Sequence, residues 1–164
     1  MAFLFDTDAL SEVLKKRPAP AYVRWLRTVP REEQFTSAVV VAELFKGAFR
    51  SERAAFHVEN VERRVLPALT VLPFDVAVAG VYGRIEAQLR RGGTPLADAD
   101  LQIAATAIRH GLELVTGNVR HFERVPGLVL CRVLAGARLT APPARKSRGV
   151  ISASEALRRQ REED

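Results

Sequence analysis

Three carboxylates stand in apolar surroundings: Asp6 ends the run Met1-Ala2-Phe3-Leu4-Phe5, Glu43 lies between Val39-Val40-Val41-Ala42 and Leu44-Phe45, and Asp100 precedes Leu101-Gln102-Ile103-Ala104-Ala105. A charge so placed costs energy unless it reaches a cleft, pairs with a cation or binds a metal. If the three meet, their chemistry is that of a hard divalent cation, which prefers carboxylate oxygens and activates water beside a phosphoryl group. Each acid also has a simpler explanation by itself. Asp6 suits a turn or cap after a strand. Lys46 lies within one helical turn of Glu43 and can pair with it. Asp98 and Asp100 open a helical run, where unpaired backbone N–H groups and the helix dipole favour acids. Of that pair, Asp98 is expected to be the cap and Asp100, adjoining the buried face, the ligand.

The elements around these acids decide whether they can meet. The first run is short, β-prone and nearly uncharged, which fits a strand buried on both faces of a parallel sheet. Asp6 then falls at the carboxyl end of that strand, the edge where open α/β sheets bind ligands. Thr7 or Asp8 is expected to cap a helix reaching Lys16, which Arg17-Pro18-Ala19-Pro20 stops because proline lacks the donor a helix needs. A short helix over 21–28 is predicted next, then a strand over 34–38 and a helix over 39–49 capped by Ser37, with most of its faces buried. Residues 51–66 read as amphipathic and charged, and 70–74 as a strand. Helices follow over 75–91, stopped by Gly92-Gly93, and over 98–110, closed by Gly111. The remaining strands are 112–116 and 128–133. Helices alternating with short strands imply an α/β fold, its mainly parallel sheet covered on both faces. Thr116-Gly117-Asn118 would reach the same sheet edge, to hold a phosphate oxygen or a metal's water, or to shape a turn.

The chain has 164 residues, 48% of them hydrophobic, so one domain can fold without disulfides or a structural metal. Cys131 reads as a small buried hydrophobe. His57, His110 and His121 show no metal-ligand spacing and are expected at the surface or at helix ends. No signal-peptide pattern or bilayer-length apolar stretch occurs, so a cytoplasmic protein without membrane contact is expected. The net charge of +6, mostly from arginine, suits a phosphate polyanion and equally a solvated basic surface. After Leu139 the composition changes: 142–149 reads as a linker and 154–163 as a short charged helix. The expected division is a folded domain over 1–139 and a basic, loosely held tail over 140–164, including Arg145, Lys146, Arg148, Arg158 and Arg159.

An ordered series connects these pieces. It runs Phe5-Asp6-Thr7, Ser37-Ala38 to Glu43-Leu44 with Gly47, Gly93-Thr94-Pro95-Leu96-Ala97-Asp98-Ala99-Asp100-Leu101, Leu114-Val115-Thr116-Gly117-Asn118, and Phe122 to Leu128. In this order and spacing, spanning roughly 1–133, the chain resembles the PIN-domain toxins of the VapC type. The resemblance implies a PIN-like three-layer α/β/α fold around a central, mainly parallel sheet of four to five strands. It also implies that Asp6, Glu43 and Asp100 are catalytic and hold magnesium or manganese, with Asp98, Thr7, Asp8, Thr116 and Asn118 in support. The implied activity is endonucleolytic cleavage of RNA to 5′-phosphate and 3′-hydroxyl ends by the toxin of a type II toxin–antitoxin system. A VapB-like antitoxin and a homodimer are the implied partners, the antitoxin's apolar helix docking near Trp25 or Phe45. Many PIN domains carry a fourth acid where this chain has Asn118, an acid is often found at the place of His121, and asparagine is frequent at the place of Asp8. The neutral Asn118 weakens any second metal site. Two other readings compete. A haloacid dehalogenase-type phosphatase would use Asp6 and Asp8, but the later lysine and acidic motif it needs are not evident; a noncatalytic RNA- or antitoxin-binding module would keep only the fold.

Overall fold

A computed structural model describes residues 1–140, so the expected linker and tail helix fall outside the described residues. Phe3–Phe5 forms β1, buried at every position and central in the sheet. It pairs in parallel with β2 (Gln34–Ser37) on one side and β4 (Glu113–Val115) on the other. Beyond these lie β3 (Thr70–Leu72) and β5 (Leu130–Cys131), giving the order β3-β2-β1-β4-β5 with every pairing parallel. The chain therefore builds outward from β1 in one direction, then returns to start β4 on its other side. That reversal opens a crevice at the carboxyl ends of β1 and β4, the usual ligand position in such sheets. The register Phe5↔Val115 fixes what meets there, because Asp6 and Thr116 are the next residues along each strand.

Eight α-helices cover the sheet among the described residues: α1 (Thr7–Leu14), α2 (Pro20–Leu26), α3 (Ala38–Phe49), α4 (Ala54–Asn60), α5 (Val76–Arg91), α6 (Asp98–His110), α7 (Val119–Phe122) and α8 (Val133–Thr140). Ser37 caps α3 as expected, its hydroxyl accepting the Val40 N–H at 3.2 Å. Gly111 closes α6 in the left-handed conformation, φ 65°, which glycine adopts without a Cβ penalty. Burial of Ala104, Ala105 and Ala107 lets α6 approach the sheet closely, against Leu4, Phe5 and Leu114 in the shared core.

Several boundaries differ from expectation. Asp6, rather than Thr7 or Asp8, caps α1, and the helix ends at Leu14 because Lys15 turns extended. Residues 51–66 do not form one helix: α4 passes into a π turn (Val61–Val65) that buries both valines, then a 3-10 turn at Leu66–Ala68. The run 128–133 gives the sheet only Leu130–Cys131, because Val133 begins α8, a helix that local pattern did not single out. Cys131 is half-buried, and burial pushes its thiol above the ordinary range. No described helix is long and apolar enough to cross a membrane.

Candidate active site

Asp6, Asp8, Glu43 and Asp100 line one small cavity of about 110 Å³, with Thr7 and Asn118 beside them and Ile103 and Phe122 as its apolar wall. Four elements supply these groups. Asp6 comes from the end of β1, Thr7 and Asp8 from the first turn of α1, Glu43 from α3, and Asp100 from the first turn of α6. Asn118 arrives from the turn after β4, where the buried Thr116 hydroxyl accepts the Asn118 N–H at 3.0 Å.

Each acid is held differently. Asp6 is only 4% exposed, and one of its oxygens accepts the Ala9 N–H at 2.7 Å. Burial pushes its carboxyl up to about 7, with the charges of Asp8 and Asp100 adding to the rise against hydrogen bonds from Thr116 and Ala9. Glu43 accepts a hydrogen bond from the Thr7 hydroxyl. Among the described residues no ion pair joins Glu43 to Lys46, so that simpler explanation does not hold. Nor is α3 buried on most faces: Val40, Leu44 and Ala48 face the core, whereas Phe49 is exposed, and Glu43 stands half-buried beside the core stripe. Asp100 meets the His121 ring at 2.8 Å.

One sequence expectation fails at α6. Asp98 does not cap α6: Ala97 occupies that position without a side-chain bond, and Asp98 accepts the Tyr82 hydroxyl at 3.1 Å. Asp98 is thereby tied to α5 and does not line the cavity. His121 lies at a helix end as expected, in the last turn of α7, and also reaches the site. The four-residue α7 after Asn118 returns it to Asp100, so the useful signal was its distance from Asn118 rather than its distance from other histidines. Trp25 packs against Phe3, Phe5 and Tyr22, while the cavity adjoining the acids, about 390 Å³, is lined by Thr7, Ser11, Leu14, Glu43, Leu44 and His57.

Arg138, unmarked in the sequence, is also part of this region. Its guanidinium reaches both oxygens of Asp8, at 2.7 and 2.8 Å, and also the buried Glu12. No local pattern announces a pair separated by 130 positions.

The sequence profile of the PIN domain matches residues 3–128. The chain belongs to the PIN-domain family. Toxin FitB of Neisseria gonorrhoeae is 35% identical over 73% of this chain and 89% of its own length. The tRNA(fMet)-specific endonuclease VapC of Shigella flexneri is 34% identical over 78% of this chain and 95% of its own. Among solved structures, the DNA-bound VapBC complex of Salmonella typhimurium contains a chain 31% identical to this one, with a TM-score of 0.72, covering 80% of this chain and 97% of that one. Within the PIN-domain family this protein is thus of the VapC type.

The donor set of this PIN domain fits a hard divalent cation. Four carboxylates and one amide supply only hard or neutral donors to the cavity, and among the described residues no lysine or arginine lines it. The raised Asp6 carboxyl reflects its burial first, with the charges of Asp8 and Asp100 adding to it. Among the described residues no three acids, histidines or cysteines stand close enough together to hold a metal ion without moving.

Proposed function

We propose that this VapC-type PIN protein is a magnesium- or manganese-dependent endoribonuclease and the toxin of a type II toxin–antitoxin system. Asp6, Glu43 and Asp100 are the proposed catalytic acids and metal ligands. The observation that carries the reading is the convergence of these three acids, from three separate elements, on one small cavity at the β1–β4 crevice that no lysine or arginine among the described residues lines. When bound there, a divalent cation supplies Lewis acidity toward water and toward the scissile phosphate. The protein's own groups do the positioning. The Ala9 N–H fixes one Asp6 oxygen, the Thr7 hydroxyl fixes Glu43, and His121 fixes Asp100, so the donors are aimed before substrate arrives. Thr116 shapes the turn that presents Asn118 to the cavity.

A VapB-like antitoxin, an RNA substrate and a homodimer are the proposed partners, acting in the cytoplasm; relatives solved as VapBC complexes support the first. The proposed nuclease domain is 1–139, and 140–164 the proposed basic tail. The phosphatase reading is disfavoured by geometry. Asp6 is almost fully buried and bonded to Ala9, and both oxygens of Asp8 are taken by Arg138, so neither is free as nucleophile or proton donor.

Metal-free protein, separated from any antitoxin, is expected to leave RNA intact and to cleave it when magnesium or manganese is added. Asp100→Asn and Glu43→Gln are expected to lower that rate by about a hundredfold or more, the loss of a few kcal/mol of transition-state stabilisation. Equal cleavage by the parent and both variants would remove these acids from the mechanism and favour the noncatalytic module.

A further inference from the structure

Among the described residues, Asp8 is the one cavity acid held at both oxygens by an arginine. Its carboxylate lines the cavity beside Asp6, Glu43 and Asp100. Arg138 meets it edge to edge, Nη1 to Oδ2 at 2.7 Å and Nη2 to Oδ1 at 2.8 Å, a parallel fork that matches carboxylate geometry. A second acid keeps the guanidinium in place. Glu12, 3% exposed, accepts from Arg138 Nη2 at 2.8 Å and Nε at 3.2 Å. Glu12 is itself anchored by the Ala19 N–H at 2.9 Å and by Lys15 at 2.6 Å. Gly117 leaves the necessary space, since a Cβ there would collide with the Arg138 guanidinium and the Asp8 carboxylate. All of this geometry depends on α8, which lies beyond the PIN-domain match at 3–128.

We infer that Arg138 is a positioning residue that withholds Asp8 from the metal-binding set and offsets its charge, so that α8 sets the cation affinity of the site. The inference rests on the divalent-cation reading proposed above. A carboxylate held at both oxygens by a guanidinium is a poor ligand, because its charge is already offset and its orientation is fixed by the fork. The cavity then presents Asp6, Glu43 and Asp100 as its effective anions. Without Arg138, Asp8 regains a full charge at the cavity mouth and is free to turn inward.

The test is calorimetric titration of the metal-free full chain with Mn2+ alone, for the parent, Arg138→Met, Arg138→Lys and the double variant Asp8→Asn with Arg138→Met. Arg138→Met is expected to bind Mn2+ about tenfold tighter or more, the effect of one unscreened charge close to a divalent ion. The double variant is expected to return to within about twofold of the parent, because it lacks both charges. Arg138→Lys keeps a charge but loses the fork and should fall between. Both Met-bearing variants lose the same Arg138 packing, so a purely structural role moves their melting temperatures together and leaves their Mn2+ affinities alike. Equal Mn2+ affinity in the parent and Arg138→Met overturns the inference, as does a double variant that stays as tight as the single. If Arg138→Met does not fold, Arg138→Lys with and without Asp8→Asn carries the same comparison. A parent that binds no Mn2+ at millimolar concentration overturns the metal reading, and this inference with it; a parent that binds while its variants match it overturns this inference alone.

Discussion

His121 Nε2 lies 2.8 Å from Asp100 Oδ2, while the other ring nitrogen of His121 lies 3.3 Å from Arg124 Nη2. Arginine can only donate, so Nδ1 accepts and Nε2 is the nitrogen that donates to Asp100. Arg124 also donates from Nε to the His121 carbonyl at 3.1 Å, which holds it on the same turn. A histidine thus aims the α6 acid, and an arginine aims the histidine. Groups that orient ligands in this way typically govern about ten- to hundredfold in metal affinity or activity. His121→Ala is expected to cost that much in RNA cleavage and in Mn2+ affinity, with Arg124→Ala costing less. Kinetics and Mn2+ titration on the same preparations would check it, and an unchanged His121→Ala would make the contact incidental.

Asp6 should trade stability for function. Its carboxyl is pushed up to about 7 by burial and by Asp8 and Asp100, from an ordinary 3.8. A raised acid opposes folding in full above about pH 7, and the penalty shrinks as pH falls from there toward the ordinary 3.8. Asp6→Asn is therefore expected to stabilise the metal-free protein at pH 8 by about 1–3 kcal/mol, less at pH 6, while abolishing cleavage. Urea denaturation at the two pH values reads the difference. An Asn variant less stable than the parent at pH 8 would mean that the carboxylate is better compensated than its burial indicates.

Glu12 predicts the opposite pH dependence. Burial would raise its carboxyl, but hydrogen bonds from Lys15, Arg138 and the Ala19 N–H outweigh that and hold it at about 2, below an ordinary 4.5. A depressed acid stabilises the fold above its ordinary pKa, and the gain is lost as pH falls through the folded value. Glu12→Gln is expected to be less stable than the parent at pH 7 by roughly 2 kcal/mol, after allowing for solvent around Lys15 and Arg138. The gap should close between about pH 5 and pH 2. A gap that stays constant across that range would assign the loss to packing instead of charge.

Gly117 stands where the Arg138 fork meets Asp8, and no other residue leaves that space open. Gly117→Ala is expected to destabilise the protein by about 1–3 kcal/mol, as overpacking generally does, unless the fork gives way. Displacing the fork should release Asp8 and tighten Mn2+ binding in the manner of Arg138→Met. Thermal melting and Mn2+ titration together distinguish the two responses, and a variant identical to the parent in both would show that the close approach is relieved without cost.

Much of the fold is legible locally because its signals are local. Phe3-Leu4-Phe5 has the uniform apolar character of a strand covered on both faces, Ser37 precedes an apolar helical run, and Gly111 follows the last helical residue of α6. Asp6, Glu43 and Asp100 were legible for a related reason, since each is an acid beside apolar neighbours and their order matches a PIN domain of the VapC type. Boundaries were less legible. Asp6 caps α1 as well as lining the cavity, a double use of one carboxylate that composition cannot separate.

The amino-acid sequence by itself determined which residues carry charge into apolar surroundings, and hence the fold class and the three candidate acids. Tertiary structure alone decided which other charges reach them. The β1–β4 register sets Asp6 beside Thr116, α7 turns His121 toward Asp100, Tyr82 takes Asp98, and α8 brings Arg138 onto Asp8 across 130 positions of chain. The physical reason is range. Helix caps and apolar periodicity act over a few residues and leave a pattern in sequence, whereas an ion pair depends on where two elements pack and leaves no mark at either position until they do.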